Sequence, residues 1–523
     1  MTHLFIRFCC VCLLLCSCSR KEHPREALTV AMSEDPQSLD PRVVRILPTV
    51  SVLKLLFEGL MRTNSSGFNE PAAASSVVIS EDKRTYTFTL RDSHWSDGSP
   101  VTAQDFEETW KSILSPSFPA PNAYQLYLIK GAKEAKEGIL PPDAIGVKAI
   151  DSKTLVVELL EPTPYFLEIT TCHFYFPVCP SMRAGSPDDS VKLVVGNGPF
   201  MMDHWKLRSE LAVVKNPHYW DAANVAVNKI SLAILDETTA LKLFEAGSLD
   251  WAGSPISTLP QDAIASLKQR GVLQVFPGAG THWFRLNTQK PPFDNEKIRR
   301  AFSLALDRQA IVNHITQGNQ VPAIGVVPPS FGFSHQNYYK DHDLDAARQL
   351  FAEGLSESGR SKADISPLVL SYAANDRNSK IAQAVQPQWS KAFDIDVKLE
   401  ANEGPSLMDK MHKGTYQISL GAWYADLRDA FNFLEIFKLK DNPTNQTFWH
   451  NALYTQLLEQ SSTELDPAKR QQILEHAEAV LMQGMPVAPL FHNSYNYLKS
   501  DRVSGVYFSP LGFLDFKEAR MTD

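Results

Sequence analysis

His94-Trp95-Ser96-Asp97-Gly98-Ser99-Pro100-Val101-Thr102-Ala103-Gln104-Asp105-Phe106 writes out a whole strand-to-helix transition in one short stretch. Just upstream, Thr85–Leu90 alternates polar and apolar side chains with period two, the mark of a half-buried strand. Ser96–Pro100 then gathers the residues that bend a chain. Aspartate and serine satisfy nearby backbone groups, glycine is free to take positive φ, and proline fixes its own φ. Thr102 follows as a helix N-cap, and Asp105 is placed to reach back to it as in a capping box. Trp95 is expected to pack inside. The segment reads as scaffold rather than chemistry.

The same grammar extends outward in both directions. Leu28–Met32 reads as a first strand, followed by the turn-prone Ser33-Glu34-Asp35-Pro36. Ile145–Leu160 reads as a hairpin around Asp151-Ser152-Lys153. Asp343–Gly354 is expected to be a helix ended by its glycine. Asp466-Pro467 opens another, proline at the first helical position costing nothing, with Ile473, Ala477, Val480 and Leu481 on one face. Strands and helices alternate throughout, so the class is α/β or α+β. No internal repeat or low-complexity segment is visible.

The N-terminus, MTHLFIRFCCVCLLLCSCSR, places one cation, Arg7, before an apolar run from Phe8 to Leu15. Spanning a bilayer takes about 20 apolar residues, so this run is the core of a signal peptide and not a membrane anchor. It ends in Leu15-Cys16-Ser17-Cys18, which resembles a bacterial lipobox: an apolar residue, then a small one directly before the cysteine to be lipidated. Residues 1–17 are therefore expected to be removed, Cys18 to carry lipid, and residues 18–27 to form a polar tether. Of seven cysteines, only Cys172 and Cys179 lie in the body; their spacing permits a small loop disulfide or two reduced core thiols.

A chain this long suits two or three lobes. Its net charge of −8, with no clustered basic stretch, gives no reason to expect a nucleic-acid partner. No G-x-S-x-G elbow, H-E-x-x-H pair or P-loop is present, and the fourteen histidines lack metal spacing. Gly196-Asn197-Gly198-Pro199 is a glycine turn, but its proline stands where a phosphate loop needs a free N–H. No catalytic group, metal site or cofactor is expected.

Several stretches in order resemble the extracytoplasmic solute-binding proteins of oligopeptide/dipeptide ABC importers (family 5), and most of all their oligopeptide-binding members. They are Gln37–Pro41, Leu56-Phe57-Glu58-Gly59-Leu60, His94–Phe106, Gly196–Phe200, Asn216-Pro217-His218-Tyr219-Trp220, Asn287–Arg300 and Ala305-Leu306-Asp307-Arg308. Together they cover roughly residues 28–515. The resemblance implies a two-lobed, periplasmic-binding-protein-like α/β fold of class II, large type, with an inserted subdomain and a hinge. Lobe I would take residues 28–57, 181–279 and 495–523, the insert 58–180, and lobe II 280–494. It also implies a monomer that passes ligand to membrane permease subunits, anchored on the periplasmic side through lipid.

The resemblance further implies a site at Gly421-Ala422-Trp423-Tyr424-Ala425-Asp426. Asp426 would accept the α-ammonium of a short peptide, because an ammonium taken out of water needs a carboxylate partner. Trp423 would form an apolar wall, Trp283 would line the same cleft, and backbone near Ala422 and Tyr424 would pair with the ligand as an added strand. The chain also departs from the enteric pattern. A cysteine pair is replaced by Gly280 and Tyr424, and cations that hold ligand carboxylates are replaced by Thr316, Met411 and Leu420. Arg45, on the early loop, would be either a substitute cation or a plain solvent-exposed side chain. The departures leave room for a cell-wall-derived peptide; the nickel- or haem-binding branch of the same fold is a rival, against which Asp426 argues, because a metal chelate has no α-ammonium to meet.

Overall fold

The computed structural model describes residues 27–185, 194–333 and 338–522. The expected signal peptide, Cys18 and all but the last residue of the tether lie outside the described residues.

An eleven-stranded mixed sheet runs through the molecule. Its order is Val397–Asn402, Leu368–Ala373, Ile418–Tyr424, Gln274–Leu286, Val487–Lys499, Trp251–Gly253, Leu28–Met32, Lys229–Ile234, Glu210–Lys215 and Phe200–Lys206, with Val321–Pro322 attached beside Val487–Lys499. Leu28–Met32 runs parallel to Lys229–Ile234, and Leu368–Ala373 parallel to Val397–Asn402. The two strands at the centre are 13 residues each and antiparallel. Gln274–Pro277 pairs with Tyr497–Ser494, and Thr281–Arg285 with His492–Val487; the register shifts between Pro277 and Thr281 and again between His282 and Trp283. Such interruptions bend and twist a ladder locally. A separate antiparallel sheet takes Ala74–Ile79, Thr85–Leu90, Thr154–Glu158 and Val147–Ala149 in that order.

Buried side chains divide on either side of this waist. One continuous core draws on residues between 28 and 256 and between 503 and 519, joined by Leu427. Two others draw their buried members only from 283–491. The inserted segment therefore shares its core with the N-terminal half.

The opening stretch folds as read. Trp95 is fully buried, Asp97 Oδ1 accepts the Ser99 N–H at 2.9 Å, and Gly98 sits at φ 88°. Asp105 Oδ2 accepts the Thr102 N–H at 2.9 Å at the start of the helix Ala103–Ile113. The hairpin pairs Val147–Ala149 with Thr154–Glu158, and Asp466 caps Pro467–Gly484 through the N–H groups of Ala468 and Lys469. The helix expected over Asp343–Gly354 instead runs Leu344–Ser358 and ends at Gly359, at φ 63°. Gly354 is buried inside it because a Cβ there would lie 2.6 Å from Ile298 Cγ1; its small size serves close helix packing, not termination.

Cys172 and Cys179 are free thiols, so of the two readings the disulfide is the one that does not form here. Cys172 borders the cavity described below, whereas Cys179 Sγ sits 3.3 Å from Ser181 Oγ.

Three of the quoted motifs meet at Glu58. Tyr219 donates to its carboxylate, and Trp220 Nε1–H does so at 2.7 Å. Asn197 accepts the Glu58 N–H and donates to the Glu58 carbonyl, each at 2.9 Å. A Cβ on Gly196 or Gly198 would run into the backbone of Leu56 and Phe57, which is why both flanks of Asn197 are glycine. Leaving a buried polar group without a partner costs about 1–3 kcal/mol. Asn197→Ala orphans two backbone groups, so unfolding in urea should lose about 2–4 kcal/mol of stability; an unchanged midpoint would show that the knot contributes nothing.

Candidate functional site

The strand Ile418–Tyr424 carries most of the predicted residues. It pairs with Gln274–Leu286 so that Tyr424 faces Gly280, Trp423 faces Thr281, Ala422 faces His282 and Gly421 faces Trp283. The ladder extends one step more, with the Ala425 N–H donating to the Ala279 carbonyl at 2.8 Å. Asp426 is the next residue, where the chain leaves the sheet.

Asn432 fixes that exit. Its Oδ1 accepts the Asp426 N–H at 3.0 Å and the Trp423 Nε1–H at 3.1 Å, and its Nδ2 donates to Glu435 Oε1 at 3.1 Å. One buried amide thus sets both the aspartate and the indole. Sequence reasoning missed it, since nothing local marks an asparagine six residues past Asp426.

Asp426 borders a cavity of ≈ 650 Å³ together with Ala425, Arg45, Tyr124, Gln125 and Lys54. From the facing side, Tyr124 donates its hydroxyl to Asp426 Oδ2 at 3.3 Å. Burial lifts the Asp426 carboxyl above its ordinary range, opposed by hydrogen bonds from Tyr124 and Gln125 and by the Arg45 charge. Such a carboxylate is incompletely stabilised, and a cation entering the cavity relieves it. Beyond it, Glu168 Oε1 accepts the Arg428 N–H at 2.7 Å, and the Arg428 guanidinium donates to the Gly67 carbonyl at 2.6 Å. Burial, with Asp429 adding to it, pushes the Glu168 carboxyl up to about 7. The loop after Asp426 is thereby tied to the inserted segment.

Asp426 and Arg45 are thus brought to one cavity. Ala422, Trp423 and Tyr424 lie on the strand leading to it and are not among the side chains bordering it. Trp423 is half-buried. The Tyr424 hydroxyl lies 3.0 Å from His282 Nε2. Trp283, expected to line the cleft, is 1 % exposed and packs on Phe437 in the core, so that expectation fails. Lys54, buried on the cavity wall, carried no sequence signal.

Thr316 donates to Gln320 Oε1 at 2.8 Å and borders a second cavity of ≈ 480 Å³ with Arg377 and Lys380. Met411 and Leu420 are buried apolar side chains. None of the three positions offers a charge. Among the described residues no three His, Cys, Asp or Glu side chains are grouped to hold a metal ion, and no described helix is long and apolar enough to cross a membrane.

Residues 69–445 match the family described as bacterial extracellular solute-binding proteins, family 5. The oligopeptide-binding protein OppA of Bacillus subtilis is 41 % identical over 508 residues, 95 % of this chain and 92 % of that one. Among solved structures, the periplasmic murein tripeptide-binding protein MppA in its unliganded open form superimposes with a TM-score of 0.83 at 28 % identity, covering 95 % of this chain and 98 % of its own. The complex of Haemophilus influenzae OppA with the peptide RPPGFSPFR gives 0.72 at 29 % identity, covering 95 % and 99 %. The chain belongs to the family 5 extracellular solute-binding proteins, with the two-lobed fold of that family, and is extracytoplasmic.

Gly280 and Tyr424 face each other across the two strands. A Cβ on Gly280 would lie 2.7 Å from Tyr424 Cδ1, so the phenol ring occupies the space a second side chain would need. Gly280→Ala should therefore destabilise by about 1–3 kcal/mol through overpacking, and Tyr424→Ala in the same chain should recover most of it. Thermal melts of the two singles and the double decide; additive losses would sink the steric account.

Proposed function

We propose that this protein is the substrate-binding lipoprotein of an ABC importer, capturing short peptides between two lobes and passing them to the membrane permease. Asp426 carries the reading: a carboxylate raised by burial, held in place by Asn432, and bordering a ≈ 650 Å³ cavity is built to receive the free amino end of a ligand. Relatives bearing oligopeptide-binding names, one solved with a peptide, support it. In this reading Arg45 faces the ligand beside Asp426, and Trp423 with the backbone of Ala422 and Tyr424 forms the approach. The receptor acts as a monomer without turnover, since nothing in capture and release calls for bond chemistry.

Lobe I comprises residues 28–57, 181–279 and 495–523, the insert 58–180, and lobe II 280–494. The lobes close by flexing the two long strands where their register breaks. The likeness to an unliganded open form suits a receptor with its lobes apart. The same likeness to a murein tripeptide-binding protein, together with uncharged Thr316, Met411 and Leu420, favours a short wall-derived peptide as the second reading.

Truncating one partner of a desolvated charge pair costs about 2–5 kcal/mol, so Asp426→Ala should weaken peptide binding by at least tenfold while leaving the melting temperature near native. Because the ligand ammonium needs an ionised partner, native affinity should fall as pH drops through the raised Asp426 pKa, and Asp426→Asn should lose that dependence. Calorimetric titration of both variants tests this; an unchanged affinity would sink the amine role.

We read Cys18 as the lipidated residue. A lipoprotein's several acyl chains hold a protein firmly where one would not. Cys18→Ala should leave the precursor uncleaved or free of the membrane fraction, and incorporation of labelled palmitate into that variant would move the lipid elsewhere.

A further inference from the structure

Lys54 is the one fully desolvated cation on the cavity wall among the described residues. It lies on the helix Leu47–Leu56 and is 7 % exposed. Arg45 and Arg428, which border the same cavity, are exposed. The Lys54 ammonium makes one hydrogen bond, to the Thr171 carbonyl at 3.1 Å, and lies between two aromatic faces, 4.6 Å from the Phe513 ring and 5.4 Å from that of Phe176. An ammonium has three donors to satisfy.

The acids close enough to feel this charge are committed elsewhere. Glu58 is held by Tyr219 and Trp220. Asp515 lies 3.8 Å from the Arg62 guanidinium and accepts the Lys517 N–H at 2.9 Å. Burial lowers the Lys54 pKa despite both acids, so its charge is undercompensated. A buried cation of this kind is a strong anion site, because the Coulomb gain is large where water is excluded and the desolvation cost has already been met in folding.

Its placement decides which part of a ligand it reads. Cys172 borders the same cavity, and its thiol lies within electrostatic reach of both Lys54 and Asp426. The two charges border one cavity, so a ligand whose amine meets Asp426 can bring a carboxylate to Lys54. We propose that Lys54 is an anion anchor that selects peptides whose amino-terminal residue bears a carboxylate, an inference that rests on the peptide-receptor reading given above.

The probes are the tripeptides Glu-Ala-Ala and Gln-Ala-Ala, titrated calorimetrically into the purified protein. The native protein should bind the glutamyl peptide at least about tenfold more tightly. Lys54→Met, which keeps the aliphatic stem, should remove that gap while holding Gln-Ala-Ala close to its native affinity; Lys54→Arg should keep the gap, and melting curves should show both variants folded. Equal native affinities for the two peptides would overturn the anchor, and this comparison needs no variant. A gap that survives in Lys54→Met would overturn it as well. If Gln-Ala-Ala binds and the gap is absent, only the anchor fails; if neither peptide binds, the receptor reading fails and takes the anchor with it.

Discussion

The antiparallel pair Gln274–Leu286 and Val487–Lys499 is the constraint on which the arrangement depends. Each strand belongs to both halves of the sheet, so the halves share two continuous backbones instead of a flexible linker. A regular ladder resists bending, and this one loses its regularity only around residues 277–283. The candidate site begins at that same level. Gly280 faces Tyr424, Ala279 pairs with Ala425, and Asp426 follows. Asp426 lies across the cavity from Arg45 and Tyr124, and its neighbours Leu427 and Arg428 join it to the first core and to the inserted segment.

Buried charges in the molecule fall into two kinds. Glu58 lies in a closed set of donors, and Arg308 is likewise enclosed by the Pro489 and Ser303 carbonyls and Asp341. Such groups fix where segments meet. Asp426 and Lys54 have fewer partners than their chemistry can use, and both face open volume. Burying a charge is costly unless its partners are complete. Incomplete partnership on a cavity wall is what marks the candidate site off from the scaffold in this fold.

Features written in adjacent residues were legible in the sequence. The Thr102–Asp105 reach-back, the Asp466-Pro467 helix start and the period-two strand Thr85–Leu90 all depend on neighbours a few positions away. Gly354 misled because a glycine that ends a helix and one that admits a neighbouring helix look alike without the partner, here Ile298. Trp283 misled for a related reason: alternation assigns a side chain to one of two faces but does not say which face is core at that point of the sheet. Asp426 was found by resemblance, and its environment only by folding. Asn432, Lys54 and Tyr124 approach the cavity from three separate stretches of chain, so no window of sequence could contain their relation.

The core that holds Val30 and Leu53 also holds Phe513, Leu514 and Phe516, and Ser51 Oγ accepts the Leu514 N–H at 2.9 Å. The earliest body residues to leave the ribosome thus wait for almost the last before their packing is complete. Residues 283–491, by contrast, contain every fully buried member of two cores. The middle of the chain can mature while its beginning is still unfinished, so biosynthetic order and folding order run against each other. A chain built this way keeps its first core open until residues 503–519 have been made, and removing them would leave that core unfinished.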